Sequence, residues 1–116
     1  MSMLDELKDL GVNIEDALQR FMNNSSLYEK MLGKLVNNVK DINVLPSIEA
    51  GDYTAACDAA HTLKGVMGNL SIAPLYKSYT QIVNLLREDN PEEAKKILLE
   101  TLPVQEKIIA CIEKNA

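Results

Sequence analysis

The sequence predicts an all-α protein: an antiparallel four-helix bundle with an additional short N-terminal helix and a kinked C-terminal helix. Three observations carry this expectation. Apolar residues recur at helical spacing in each segment between turn signals, and no stretch alternates apolar and polar as a half-buried strand does. Aromatic side chains are few, Phe21 and four tyrosines with no Trp, which leaves Leu, Ile, Val, Ala and Met to build the core. The turn signals are short clusters, the kind of connection that joins antiparallel neighbours. With 116 residues and no linker or low-complexity segment, residues 1–116 read as a single domain.

The elements follow in order. Leu4, Leu7 and Leu10 share a helical spacing that Gly11 ends, a short N-terminal helix. Asn13 reads as the cap of a second helix, with Glu15 and Asp16 where negative charge suits the helix dipole and Ile14, Ala17, Leu18, Phe21 and Met22 as its stripe. Ser26-Leu27-Tyr28-Glu29 has the form of a capping box. It opens a long helix whose stripe is Tyr28, Met31, Leu32, Leu35, Val36, Val39 and Ile42. Pro46 predicts a break near Val44–Leu45, because a helix-interior proline removes a hydrogen bond and clashes with the preceding turn. The helix then resumes to about Ala50.

Gly51 closes that segment and Asp52 caps the next, roughly Tyr53 to Leu70. Pro74 marks the first position of another helix, with Leu75, Tyr79, Ile82 and Leu86 facing inward. Asn90-Pro91-Glu92-Glu93 is a cap, a proline and two acids, a clear helix start. Ala94, Ile97 and Leu98 face inward from it, Pro103 interrupts it, and Val104, Ile108, Ile109 and Ile112 continue its stripe.

Charge and cysteine usage narrow the function. A net charge of −5, with basic residues interleaved among acidic ones, argues against nucleic-acid binding. Cys57 and Cys111 form no CxxC or Cys/His ligand series and read as free thiols in a reducing compartment. The N-terminus lacks the basic start and apolar run of a signal peptide, and no segment has the length of a membrane span. The chain reads as cytoplasmic.

The segment from Ala59 to Leu70 holds the protein's one histidine. At about 100° per residue, Ala59, Leu63, Val66 and Leu70 form its apolar face. Lys64, Gly65 and Gly68 fall within roughly 60° of His61 on the opposite side. Each glycine costs a helix interior roughly 1 kcal/mol relative to alanine. Two on the histidine's face suggest close approach to the backbone, although Gly68 serves a helix–helix contact equally well. An outward imidazole, a cation one turn away and cleared space suit a reactive nucleophile. Cys57, four residues before His61, shares its face, yet zinc would need further ligands and a thiol enzyme an oxyanion site. Thr62 and Asn69 read as structural, and no Walker, kinase or glycine-rich phosphate motif is present.

The motif Ala60-His61-Thr62-Leu63-Lys64-Gly65, followed by Gly68-Asn69-Leu70, resembles that of the histidine-containing phosphotransfer domains of multistep phosphorelays. Leu27-Tyr28, Met31-Leu32 and Gly51-Asp52 fit the same pattern, and the resemblance runs from about Ile14 to Leu86. It implies a four-helix bundle in which His61 accepts a phosphoryl group from a receiver-domain aspartate and passes it to another. Lys64 would lie near the phosphoryl oxygens, and Gly65 would give the partner room. The implied partners are response-regulator receiver domains and a hybrid sensor histidine kinase. The chain would be a monomeric carrier in two-component signalling, not an enzyme. It would have no kinase activity and no cofactor of its own, Mg²⁺ being held by the receiver. Two alternatives share this fold: an interaction module that binds receivers or kinases without carrying phosphate, and the histidine module of a larger sensor or chemotaxis kinase. The chain departs from the pattern at Ser71, where relatives commonly have glycine, and at Pro46. It departs again at Val83, with Gln81 nearby, where a polar residue often bonds the histidine region.

Overall fold

The computed structural model describes residues 2–115. Among them there are seven helices and no strand: α1 (Met3–Asp9), α2 (Ile14–Arg20), α3 (Ser25–Asp41), α4 (Leu45–Glu49), α5 (Tyr53–Asn69), α6 (Ala73–Arg87) and α7 (Pro91–Lys114). The helix starts follow side-chain chemistry. Asn13 and Asp52 accept hydrogen bonds from the amides of Asp16 and Ala55, each satisfying a first-turn N–H that has no partner inside the helix. Asn90 does the same for Glu93 at the longer distance of 3.5 Å. The expected box at Ser26 is not the start of α3. Asn24 is the cap, its side chain accepting from Leu27 N–H at 3.0 Å, and Ser26 lies inside the helix. An asparagine two residues upstream competes for the same first turn.

Five helices end alike. The residue after the C-cap turns left-handed at Gly11, Met22, Gly51, Ser71 and Asp89. The next amide reaches back to close the turn, as in Val12 N–H to Leu7 C=O at 3.0 Å and Ile72 N–H to Met67 C=O at 2.9 Å. The break predicted at Pro46 falls between Asp41 and Leu45, with Pro46 in the first turn of α4, where its missing N–H costs nothing. Pro103 behaves differently from expectation, because α7 runs through it as one helix. The carbonyl it deprives of a partner is that of Leu99, and both residues sit on the exposed side of α7.

Packing centres on α5, α6 and α7. The first two lie along each other, the last two likewise, and α3 packs on α7. Helix α4 bridges α5 and α7, α1 lies against α7, and α2 touches α1 and α3. Helix α7 has 24 residues, or about 36 Å at 1.5 Å per residue, and accounts for the long axis of a molecule 41 × 24 × 21 Å. Tyr28, Leu32 and Leu35 of α3, Leu63 and Met67 of α5, Leu75, Tyr79 and Ile82 of α6, and Leu98 and Ile108 of α7 are fully buried. Each such side chain contributes about 1.5–3 kcal/mol of transfer free energy.

Two stripes differ from the periodic reading. On α7, Val104 is exposed, while Thr101 and Gln105 take the inward places. Gln105 Oε1 accepts from the hydroxyl of Tyr79, and Thr101 bonds Ile97 C=O at 2.7 Å, so neither polar group is orphaned. Burial pushes the Tyr79 phenol up to about 12, which keeps it a donor. On α5 the buried residues are Ala56, Ala60, Leu63 and Met67, followed by the C-cap Leu70, with Ala59 and Val66 half-buried. Helix α6 lies on the side of α5 that carries Gly68, which draws Ala60 and Met67 inward.

Candidate functional site

An open groove of about 480 Å³ runs along the outer face of α5. His61, Lys64, Gly65, Gly68 and Asn69 form its floor, Ser71, Ala73 and Tyr76 one end, and Asn13, Asp16 and Arg20 of α2 a wall. His61 is exposed and Lys64 half-buried. Among the described residues His61 makes no side-chain hydrogen bond and Lys64 no ion pair, so both are free to meet an incoming group. The floor therefore brings together the three residues the sequence singled out.

The two glycines of the motif have different jobs. A Cβ built on Gly65 would meet nothing within 4 Å beyond its own helix backbone. The space above it is open. A Cβ on Gly68 would stand 2.9 Å from Tyr76 Cδ1 and 3.0 Å from Cε1, closer than real contacts allow. Gly68 is glycine because the Tyr76 ring lies against the α5 backbone.

Helix α2 is the part of the site that periodicity did not reveal. It is tied to the α5–α6 turn at two points. Asn13 N–H donates to Ser71 C=O at 3.0 Å, and Ser71 Oγ donates to Asp16 Oδ2 at 2.6 Å. Asp16 Oδ2 also accepts from Arg20 Nε at 2.9 Å. The Ser71 hydroxyl, then the Arg20 guanidinium, hold the Asp16 carboxyl below its usual range, so it stays ionised and keeps both partners. Ser71 adopts φ +56°, a conformation glycine enters at no steric cost. Serine at this helix exit makes the same left-handed turn, and its hydroxyl then reaches α2. The signal within reach of the sequence was the Asp16/Arg20 spacing of four; its position beside His61 depends on a contact 55 residues away in the chain.

Other expected contacts are not made. Val83 is fully buried among core residues, and Gln81 is exposed, so neither bonds the histidine. The residues that α6 presents to the site are Ala73 and Tyr76. Cys57 is half-buried against the core and does not line the groove. Among the described residues no three His, Cys, Asp or Glu side chains converge as a metal would require, and no helix is long and apolar enough to cross a membrane. Set against known proteins, the chain matches no family model, no curated protein and no solved structure.

Proposed function

We propose that this chain is a histidine phosphotransfer protein, carrying a phosphoryl group on His61 between receiver-domain aspartates of a two-component phosphorelay. The observation that carries this reading is the open space over Gly65 beside an exposed His61 and a half-buried Lys64, neither engaged by another side chain among the described residues. A nucleophile that must meet a phosphorus atom held by another protein needs such clearance. Helices α3, α5, α6 and α7, the four longest, would form the four-helix bundle, with α1, α2 and α4 as additions.

The chemistry asks little of the chain. A free imidazole nitrogen of His61 attacks the phosphorus of an aspartyl phosphate. The N–P bond forms as the O–P bond to the aspartate breaks, and the aspartate leaves as a carboxylate. Onward transfer is the same step reversed onto a second receiver. Such transfer depends on in-line positioning and on neutralising the equatorial oxygens. Lys64 supplies one positive charge, and the receiver's acidic pocket brings Mg²⁺. Having no kinase or nucleotide motif of its own, the chain receives its phosphate from a hybrid sensor kinase or a receiver and acts as a carrier.

Incubation with phosphorylated receiver domains tests the proposal. Wild type takes up an acid-labile, alkali-stable label and His61→Gln takes up none. Binding of receivers with no label on either protein would instead make the chain an interaction module.

A further inference from the structure

The groove contains a cation that the sequence motif does not include. A phosphoryl group on His61 brings up to two negative charges and three oxygens into a space where the histidine helix offers one cation, Lys64. Arg20 lines the same groove from α2. Its Nε is committed to Asp16, while its two terminal nitrogens make no hydrogen bond among the described residues. An i,i+4 pair on an exposed helix contributes little to stability. This pair differs in being anchored: Asp16 is itself held by Ser71, and the turn carrying Ser71 is bonded to Asn13. The chain thus fixes one edge of the guanidinium and leaves the other edge, a planar pair of donors suited to two phosphoryl oxygens, available to the groove.

We propose that Arg20, oriented by the Asp16–Ser71 pair, is the second cationic contact of the phosphoryl group carried on His61. The inference rests on the phosphotransfer reading. Lys64 and Arg20 supply two positive charges, one of them offset by the ionised Asp16, and the titratable groups lining the groove are His61, Lys64, Asp16, Arg20 and Tyr76. Asp16 engages the Nε edge alone: its Oδ2 accepts from both Ser71 Oγ and Arg20 Nε, and among the described residues it makes no bond to the terminal nitrogens.

The test uses phosphoramidate as a small donor, so that no partner protein contributes charge. The His61 nitrogen attacks phosphorus, the donor P–N bond breaks and ammonia leaves. Phosphorus NMR then follows the ionisation of the phosphoryl group through the neutral range in wild type, Arg20→Ala, Arg20→Lys and Lys64→Ala. A nearby cation favours the dianion, so Arg20→Ala moves the midpoint up by about half a pH unit. Arg20→Lys keeps most of the wild-type value, and Lys64→Ala moves it at least as far as Arg20→Ala. Arg20 is exposed, so unchanged circular dichroism is expected for its variants. Arg20→Ala titrating with wild type while Lys64→Ala shifts would overturn this inference and leave His61 as the carrier. The absence of any His61-dependent phosphorus signal in wild type would remove the phosphotransfer reading and this inference with it.

Discussion

Gly65 and Gly68 stand one turn apart on the same face of α5, and the structure gives them opposite surroundings. Over Gly65 there is open groove; over Gly68 lies the ring of Tyr76. Both carry the same helix-propensity cost, roughly 1 kcal/mol relative to alanine. At Gly68 that cost is offset inside the molecule, by close packing of α6 on α5. At Gly65 no contact among the described residues offsets it. Under the proposed phosphotransfer function the return comes from outside, when a partner's surface approaches the backbone next to His61. A glycine's purpose is read from what a Cβ would touch, and sequence alone treats the two alike.

The comparison is broken most sharply at Gly65. Gly65→Gln fills the open half of the groove without meeting the fold, so receiver-dependent labelling of His61 falls about 100-fold or more, the scale on which a misplaced reactant loses rate. Its melting temperature stays at or above that of wild type. A cooperative loss of helicity would show that the space over Gly65 is not open. Lys64→Ala leaves stability unchanged and slows transfer about tenfold, the equivalent of about 1.4 kcal/mol of transition-state stabilisation. Rapid-quench kinetics reads both variants.

At Gly68 the effect moves to stability. Gly68→Ala sets an over-packing cost of about 1–3 kcal/mol against the helix gain, a net loss of about 1 kcal/mol, which lowers the melting temperature by about 4 °C in a domain of this size. The cause is separable by a double-mutant cycle. In a Tyr76→Ala background the clash is gone, and Gly68→Ala becomes neutral or stabilising. If Gly68→Ala destabilises equally in both backgrounds, the Tyr76 contact is not the reason for the glycine.

The smallest effect is expected at the turn that joins the two halves. Ser71→Gly relieves a left-handed serine, worth about 1 kcal/mol, and removes its hydrogen bond to the partly exposed Asp16 carboxylate, an effect of the opposite sign. Denaturant unfolding should place it within about 0.5 kcal/mol of wild type. A larger loss would mean that the serine–aspartate bond does more to hold α2 than its geometry suggests.

What the sequence made legible is what local physics determines. Asn13, Asp52 and Asn90 cap the helices they were expected to cap, and the stripe of α6 is buried residue for residue, because capping and amphipathic spacing act within a few positions. His61, Lys64 and Gly65 share the groove floor for the same reason: helical phase is enough to place them together. Periodicity was less informative where burial depends on the neighbouring helix. Val104 and Val66 fit the apolar pattern, yet Gln105 and Met67 are buried, because the direction of the adjacent helix sets the centre of each stripe. Val83 was registered near the histidine and instead fills the core. The Asp16/Arg20 spacing was legible but its place as a wall beside His61 was not, since that depends on Ser71 leaving α5 left-handed and meeting a carboxylate from a different part of the chain.

Under the proposed function, His61 is the group this groove presents to a receiver. The most direct measurement is phosphoryl transfer from receiver domains carrying aspartyl phosphate, comparing wild type with His61→Gln. Wild type is expected to carry a stable, acid-labile label and the variant none, with both proteins folded alike. A His61→Gln protein labelled at the wild-type rate would contradict the proposal, as would a wild type that binds phosphorylated receivers and takes no phosphate from them.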